Sequence, residues 1–263
     1  QAENLDQVIV PVSLTFPEMT AEELKSLLFR DILGEQITYY ESSTENRINN
    51  ICLAGAKIDG LIMMPGDVFS YNETVGQRTA EAGFLAAGAY ADGQVIQEIG
   101  GGICQVSSTL FAATLRANLQ TISRSCHQFQ VTYLPFGIDA TVSWPSPDFK
   151  FANNTEYPIR IEVETDPNEK SVTVRIIGTN LTGNYCEPVS AWWAVFDETY
   201  PNTQIGWGAS CYRWIYDKDG NLLDKVYECS SSYDLHKEDI NWPPEYYAQP
   251  EEDLDLGDGT LVI

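Results

Sequence analysis

The spacing of hydrophobic residues predicts two helices in the first third of the chain. Thr20 is followed three residues later by Glu23 and then by leucines, the pattern of a capping box that starts a helix. A second helix is predicted by apolar or small residues that recur at helical spacing and stop at Asp59 and Gly60. These residues are Ile48, Ile51, Cys52, Gly55 and Ile58. Cys52 lies on this stripe and is therefore expected to be a core thiol.

The segment CQVSSTLFAATLRANL predicts the clearest helix, because it follows GGGI directly and carries apolar residues on one face. Beyond it the hydrophobic period changes from about 3.6 to about 2, which is typical of strands. Strands are predicted at 127–133 and 139–145. They are followed by a predicted hairpin in which IRIEVET pairs with SVTVRII across DPNEK.

The predicted elements indicate an α+β fold, in which the cysteine-bearing helix packs on an antiparallel sheet and a small all-β unit follows. Residues 1–37 hold an extended segment and the capped helix, and residues 38–180 form the α+β domain. Aromatic residues and turns become frequent after residue 180, which places the small β unit at 181–242. Residues 243–263 form an acidic tail that we expect to be solvated and mobile.

The charge balance narrows the range of partners. The chain has 15 Lys and Arg against 38 Asp and Glu, a formal net charge of −23. Such a surface repels phosphate backbones and anionic lipid headgroups, so nucleic acid is not an expected partner. No stretch approaches the roughly 20 consecutive apolar residues that cross a bilayer. The chain begins QAEN without a Met, which suggests a trimmed N-terminus and a possible signal or anchor segment outside this chain.

The six cysteines form no CxxC pair, and only His127 and His236 could assist them as ligands. Neither a metal site nor a cofactor is therefore predicted. A turn at 219–221 places Cys211 opposite Cys229 on neighbouring strands. The pair forms either a cross-strand disulfide or two core thiols, and a disulfide would indicate an oxidising compartment.

Three glycines at 100–102 precede a helix whose first turn holds Cys104. Glycine lets a ligand approach the backbone closely, and the positive end of a helix stabilises a thiolate, so Cys104 is the candidate nucleophile. The amides of Cys104 and Gln105, with the side chain of Gln97 or Gln105, are candidate donors to an oxyanion. His127 lies 23 residues downstream, a separation that suits a helix returning to a strand, and is the candidate base.

Asp139 and Asp148 are both candidates for the acid that orients His127. A tight hairpin of the two predicted strands would set Asp139 roughly 20 Å from His127 and so favours Asp148. A bent or non-adjacent strand would favour Asp139 instead. Simpler interpretations stay open: Cys104 is a small buried hydrophobe or forms a disulfide with Cys126, and the glycines mark only a turn.

These residues lie in stretches that are similar to the VanW family. The matching stretches fall within residues 38–165: RINNICLAGAKIDG, PGDVFSYNETVGQRT, GGGICQVSSTLFAA, VTYLPFGIDATVSW and DFKFANNTEYPIRIEV. The resemblance implies a cell-envelope protein of Gram-positive type bacteria, associated with glycopeptide-resistance gene clusters. It also implies a membrane anchor outside this chain and a preceding domain thought to bind peptidoglycan, because residues 1–30 resemble the junction from such a domain.

The helix that begins near Cys104 is also similar in pattern to the nucleophile helix of transglutaminase-like and papain-like thiol enzymes. The two resemblances favour an extracytoplasmic cell-wall protein in which Cys104 performs thiol acyl transfer or amide hydrolysis on a peptidoglycan peptide. Arg78 is expected either to pair with a substrate carboxylate, a geometry that arginine favours, or to be a plain surface arginine. The expected substrate-binding residues are Gly101, Gly102, Gln105, Ser108, Thr109, Arg78 and Gln97.

Two non-catalytic functions are the alternatives. In a binding module, the glycines and the helix N-terminus would hold a peptide carboxylate or a sugar by backbone amides, and Cys104→Ser would leave binding intact. In a scaffold, the Trp-rich strands would contact protein partners, and removal of the residues after 180 would abolish function. The sequence leaves the oligomeric state open.

Overall fold

The computed structural model of the chain describes residues 20–40, 43–91 and 94–243. Predictions for residues 1–19 and for the tail from 244 onward lie outside these ranges. The helices are α1 (Ala21–Leu27), α2 (Glu45–Ile58), α3 (Tyr71–Val75) and α4 (Ile103–Arg116), with a 3-10 turn at Lys237–Asp239. No helix in the described ranges combines the length and the apolar character that a membrane crossing requires.

Twelve strands complete the described part of the fold. They are β1 (Asp31–Tyr39), β2 (Ile62–Met63), β3 (Val68–Ser70), β4 (Ala86–Ala91), β5 (Gln94–Ile99), β6 (Gln120–Ser123), β7 (Lys150–Ala152), β8 (Ile159–Asp166), β9 (Ser171–Gly178), β10 (Tyr185–Phe196), β11 (Gln204–Tyr216) and β12 (Leu222–Asp234). Three sheets have the orders β1-β9-β8-β2, β10-β11-β12 and β3-β7-β6, and β4 and β5 form a separate hairpin. Every strand pair is antiparallel, which confirms a mixed α+β fold with antiparallel sheets.

Elements with a strong local signal form where the sequence predicts them. At the start of α1 the Thr20 hydroxyl accepts a hydrogen bond from the Glu23 amide at 3.2 Å, and the Glu23 carboxylate accepts one from the Thr20 amide at 2.8 Å. This reciprocal pair confirms the capping box. The second helix ends as predicted before Gly60, whose φ of 78° favours glycine. The hairpin of β8 and β9 is confirmed as well.

Helix α4 lies in the centre of the core. All of its residues are buried except Cys104 and Arg116, so the helix is buried on all sides and not on one face alone. It contacts β1 and β9 of the four-stranded sheet, and it also contacts β10. A Cβ atom at Gly34 of β1 would lie 2.3 Å from the Ala113 carbonyl oxygen, so the close approach of helix and strand requires this glycine.

The strands predicted at 127–133 and 139–145 are wrong, because residues 124–141 form an irregular loop in which Ser125 and Thr141 make one isolated bridge. In this loop, side chains form the hydrogen bonds with backbone groups that a neighbouring strand would form in a sheet. The Asp139 carboxylate accepts a hydrogen bond from the His127 amide at 2.7 Å. The periodicity of HQFQVTY therefore reflects how the loop packs and not a sheet.

The region after residue 180 forms a single meander of three long strands, β10 to β12, where the sequence suggests short ones. This sheet contributes to the same hydrophobic core as α4, since Cys211 of β11 belongs to that core. The domain boundary at 180 stays a prediction.

Candidate active site

The loop before α4 presents Cys104 at the first turn of the helix. Gly102, with a φ of 104°, is the N-cap residue, and Gly100 has a φ of 93°, so both positions favour glycine. Among the backbone hydrogen bonds of the described residues, the Gln105 amide donates to the Gly102 carbonyl at 3.1 Å, whereas the Cys104 amide has no acceptor. Cys104 as a residue is partly exposed, and its backbone amide is one of the unpaired donors at the start of the helix.

The sulfur of Cys104 lies against the segment that follows the irregular loop. The Val142 amide donates to Sγ at 3.5 Å, the Val142 carbonyl lies at 3.4 Å and the Thr141 hydroxyl at 3.7 Å. Asn72 holds the following residues in place, because its side-chain amide donates to three backbone carbonyls within 143–147, at 2.7 to 3.1 Å. The amide and hydroxyl donors suit a negatively charged sulfur.

His127 connects Cys104 to Asp139. Its Nδ1 lies 2.6 Å from Asp139 Oδ2, and the imidazole lies close enough to Cys104 for the two groups to shift each other's pKa. Because an ionised carboxylate only accepts hydrogen bonds, Nδ1 carries the proton and the other ring nitrogen faces the sulfur. The three side chains therefore follow one another from Cys104 to a buried carboxylate, the arrangement of an activated nucleophile.

Asp139 is buried and surrounded by donors. Its Oδ2 accepts from the amide and the ring of His127, and its Oδ1 accepts from Arg124 at 2.9 Å and from the Tyr233 hydroxyl at 2.5 Å. Arg124 also donates to the Ser231 hydroxyl at 2.7 Å. Burial raises the pKa of Asp139, but the His127 hydrogen bond, the Arg124 charge and the Tyr233 hydrogen bond outweigh it and lower the pKa to about 2. Asp139 is therefore ionised at neutral pH.

The same contacts favour a thiolate and an imidazolium. Burial lowers the pKa of His127, but hydrogen bonds to Asp139 and Cys104 outweigh it and raise that pKa to about 9. Burial raises the pKa of Cys104, but the hydrogen bond and charge of His127, with the bonds from Val142 and Thr141, give a net lowering. These contacts therefore favour the charged forms of both groups.

Asp148, the other candidate acid, bonds the residues at the N-terminal end of α3. It accepts hydrogen bonds from the Ser70 hydroxyl at 2.7 Å and the Asn72 amide at 2.8 Å, and Lys150 lies 3.6 Å away. The structure therefore brings Asp139 to His127 and uses Asp148 to hold the residues around Asn72.

The predicted substrate-binding residues separate into two groups. Gln105, Ser108 and Thr109 are buried and bond within the protein: Gln105 to Tyr39, Ser108 to Ala140 and Thr109 to Thr38. The others surround the glycine loop. Gly101 packs against the backbone of Ala87, Gly102 against Arg47, Arg78 lies beside Gly100, and Gln97 is exposed on β5.

The cysteines are all free thiols in the structure. Cys211 lies opposite Cys229 in the register of β11 and β12, as the turn position predicts, and the disulfide itself stays a prediction. Cys126 directs its sulfur to the Ser232 carbonyl at 3.5 Å, while Cys104 contacts Val142. Within the described ranges, no group of three or more His, Cys, Asp or Glu residues could hold a metal ion.

Sequence reasoning missed Arg124, Tyr233, Asn72 and Arg47. Arg124 precedes His127 by three residues and could have been noticed as a basic residue beside the candidate base. Tyr233 carried no signal, because it is 94 residues from Asp139 along the chain. A cavity of about 330 Å³ lies at the C-terminal end of α4, and Cys104 does not line it.

Comparisons with known proteins add the following findings. Residues 46–177 match the family described as VanW like protein. The uncharacterized protein YoaR of Bacillus subtilis (strain 168) is 41% identical over 158 residues, which cover 60% of this chain and 52% of YoaR. Vancomycin B-type resistance protein VanW of Enterococcus faecalis (strain ATCC 700802 / V583) is 32% identical over 127 residues, 46% of each chain. The chain thus spans about half the length of the curated relatives it matches, and no solved structure matches significantly.

Proposed function

The chain belongs to the VanW family, and from that premise we propose that it is an extracytoplasmic cell-envelope protein that uses Cys104 as a nucleophile on a wall peptide. The name of one relative connects that protein with vancomycin resistance, which directs the proposal to the cell wall. The cysteine-bearing helix packed on an antiparallel sheet, similar in pattern to transglutaminase-like and papain-like enzymes, supports acyl transfer or amide hydrolysis.

The observation that carries the proposal is the juxtaposition of Cys104, His127 and Asp139, in which His127 hydrogen-bonds Asp139 at 2.6 Å and interacts with Cys104. The thiolate of Cys104 would attack the carbonyl carbon of an amide, forming a carbon–sulfur bond and a negatively charged oxygen. The free amide of Cys104 is placed to donate to that oxygen. The imidazolium of His127 would then give its proton to the departing amine as the carbon–nitrogen bond breaks, leaving a thioester.

The second half of the reaction returns the enzyme to its starting state. Neutral His127 would take a proton from water or from an acceptor amine, which attacks the thioester carbonyl and releases the thiolate. Water gives hydrolysis, and an amine gives acyl transfer. Asp139 would hold the imidazole in the tautomer that faces the sulfur and would stabilise its charged form.

The test is the rate at which iodoacetamide alkylates Cys104, measured by peptide mass spectrometry from about pH 5 to about pH 9. We expect the wild-type thiol to react with an apparent pKa below its usual range, and His127→Ala to remove that shift. His236→Ala is the matched control, because it removes the other histidine, which stacks on Phe129 of the loop that carries His127. We expect this variant to leave the profile unchanged. A Cys104 that is inert, or whose profile ignores His127, would contradict the proposal and favour a binding module.

A further inference from the structure

The glycine loop before Cys104 provides the space for two arginine side chains. A Cβ atom at Gly100 would lie 2.9 Å from Cβ and Cγ of Arg78. A Cβ atom at Gly102 would lie 2.6 Å from Cγ of Arg47. Because real Cβ contacts are longer than this, the two glycines allow both arginines to lie against the loop that leads to the nucleophile.

Both arginines are close enough to Cys104 for their charges to interact with it. Neither is in an ion pair within the described ranges, although the chain has 38 acidic residues. Arg47 donates to the neutral Ser43 hydroxyl at 2.7 Å and to the Gln105 side-chain oxygen at 2.9 Å. Within the described ranges the two guanidinium groups therefore have no carboxylate at ion-pair distance, and Asp148 interacts with Arg78 from farther away.

Arg78 has unused hydrogen-bonding capacity. Its Nη1 donates to the Gly76 carbonyl at 3.1 Å, whereas Nε and Nη2 are buried without a hydrogen-bond partner. The guanidinium lies over the ring of Tyr71, 5.5 Å from the ring centroid. Unpaired buried donors are rare in folded proteins, and a bound ligand, ion or water is one way to satisfy them. Because only one hydrogen bond holds the guanidinium, a small movement of the side chain would expose these donors.

The charge of the sulfur changes during the proposed reaction. In the free enzyme the thiolate of Cys104 would interact with both arginines, whereas Asp148 interacts with Arg78. Formation of a thioester removes that charge, so the negative charge that faces both guanidinium groups would be lost and Asp148 would be left to interact with Arg78. A second anion supplied by the substrate would restore the balance, and a carboxylate matches the fork of donors on a guanidinium.

We propose that Arg47 and Arg78 form a carboxylate-binding site beside Cys104, so that the enzyme selects peptides with a free carboxylate near the bond it attacks. This inference rests on the proposed function. The carboxylate could belong to the C-terminus of the peptide or to an acidic side chain, and both sources offer the same planar anion.

The test compares alkylation of Cys104 by iodoacetate and by iodoacetamide at one pH. In both reactions the thiolate forms a carbon–sulfur bond, the carbon–iodine bond breaks and iodide leaves with the electron pair. The ratio of the two rate constants therefore cancels the fraction of thiolate and reports how the site treats a carboxylate. We expect Arg78→Gln and Arg47→Gln each to lower the ratio by about tenfold, the effect of losing one charge-assisted hydrogen bond.

Two further variants separate charge from folding. Arg78→Lys keeps the charge and should retain part of the ratio. Arg30→Gln is the matched control, because Arg30 precedes β1 and the far end of that strand, at Tyr39, contacts Gln105. A nine-residue strand spans about 30 Å, so Arg30 lies far from Cys104. Loss of the Arg30 charge should therefore leave the ratio unchanged.

The outcomes distinguish this inference from the proposed function. An unchanged ratio in both glutamine variants, with iodoacetamide alkylation still dependent on His127, overturns the carboxylate site alone. A Cys104 that reacts with neither reagent overturns both proposals. Protection from iodoacetamide identifies the source of the carboxylate. N-acetyl-alanyl-alanine presents a C-terminal carboxylate, the α-amide of N-acetyl-glutamic acid presents a side-chain carboxylate, and N-acetyl-alanyl-alanine amide presents none. Equal protection by the neutral amide, or protection by none of them, contradicts the inference.

Discussion

Replacement of Asp139 by Asn tests whether this buried carboxylate controls the charge of His127. The change keeps the size of the side chain but removes the negative charge and one of two acceptor oxygens. Four donors converge on the carboxylate, from His127 twice and from Arg124 and Tyr233. The amide group of Asn would present N–H donors to the Nδ1 of His127 and would favour the tautomer with the proton facing Cys104.

The size of the effect follows from the pKa of His127. Burial lowers that pKa, and the hydrogen bonds to Asp139 and Cys104 raise it from 6.5 to about 9. A difference of this size corresponds to about 3 kcal/mol in favour of the imidazolium. Without the carboxylate, the pKa of His127 should fall to its ordinary value or below. Cys104 then loses its positive neighbour, and its apparent pKa should rise by at least about one unit.

Alkylation of Cys104 by iodoacetamide as a function of pH measures this shift, and Asp148→Asn is the matched control. Asp148 is also an aspartate in a family-matched segment, but it bonds Ser70 and Asn72 and not His127. We expect the low-pH step of the profile to move upward in Asp139→Asn and to stay in place in Asp148→Asn. An equal shift in both variants, or a shift in Asp148→Asn alone, would refute the assignment of Asp139.

Two other predictions concern stability. Because the pKa of His127 is raised from 6.5 to about 9, its charged form stabilises the folded protein fully below about pH 6.5, and this contribution is lost as the pH rises through about 9. The free energy of unfolding in urea should show this decline in wild type and a flatter pH profile in His127→Gln. Tyr233→Phe removes a donor to Asp139 and leaves the Gly137 amide without the hydroxyl that accepts from it at 2.7 Å. We therefore expect the free energy of unfolding to fall by about 1 to 3 kcal/mol. Tyr227→Phe, at an exposed tyrosine, is the control and should change it by less than about 0.5 kcal/mol.

Local periodicity predicted the elements that surround the site. The helix with Cys104, the helix ending before Gly60 and the hairpin of β8 and β9 each carry their signal within a short segment. The glycines before Cys104 also marked the loop correctly, since Gly100 and Gly102 adopt conformations that favour glycine. What the sequence did not show is that the space beside these glycines is filled by arginines from elsewhere in the fold.

The loop at 124–141 could not be predicted, because distant side chains determine its conformation. Its alternating apolar residues resemble a strand, yet Ser108 of α4 binds the backbone of Ala140 on both its amide and its carbonyl. The choice between Asp139 and Asp148 depended on the strand that does not form. Once the loop folds back, Asp139 lies next to His127 although 12 residues separate them.

Two hydrogen bonds join the candidate active site in the family-matched region to the C-terminal sheet. The family match ends at residue 177, and Tyr233 and Ser231 lie on β12 beyond it. Tyr233 donates to Asp139, and Ser231 accepts from Arg124, which itself holds Asp139. The buried carboxylate is therefore positioned by both regions. A sheet that only presented aromatic residues to a partner would not need these two buried contacts, so β12 is better explained as a support for the proposed catalytic line.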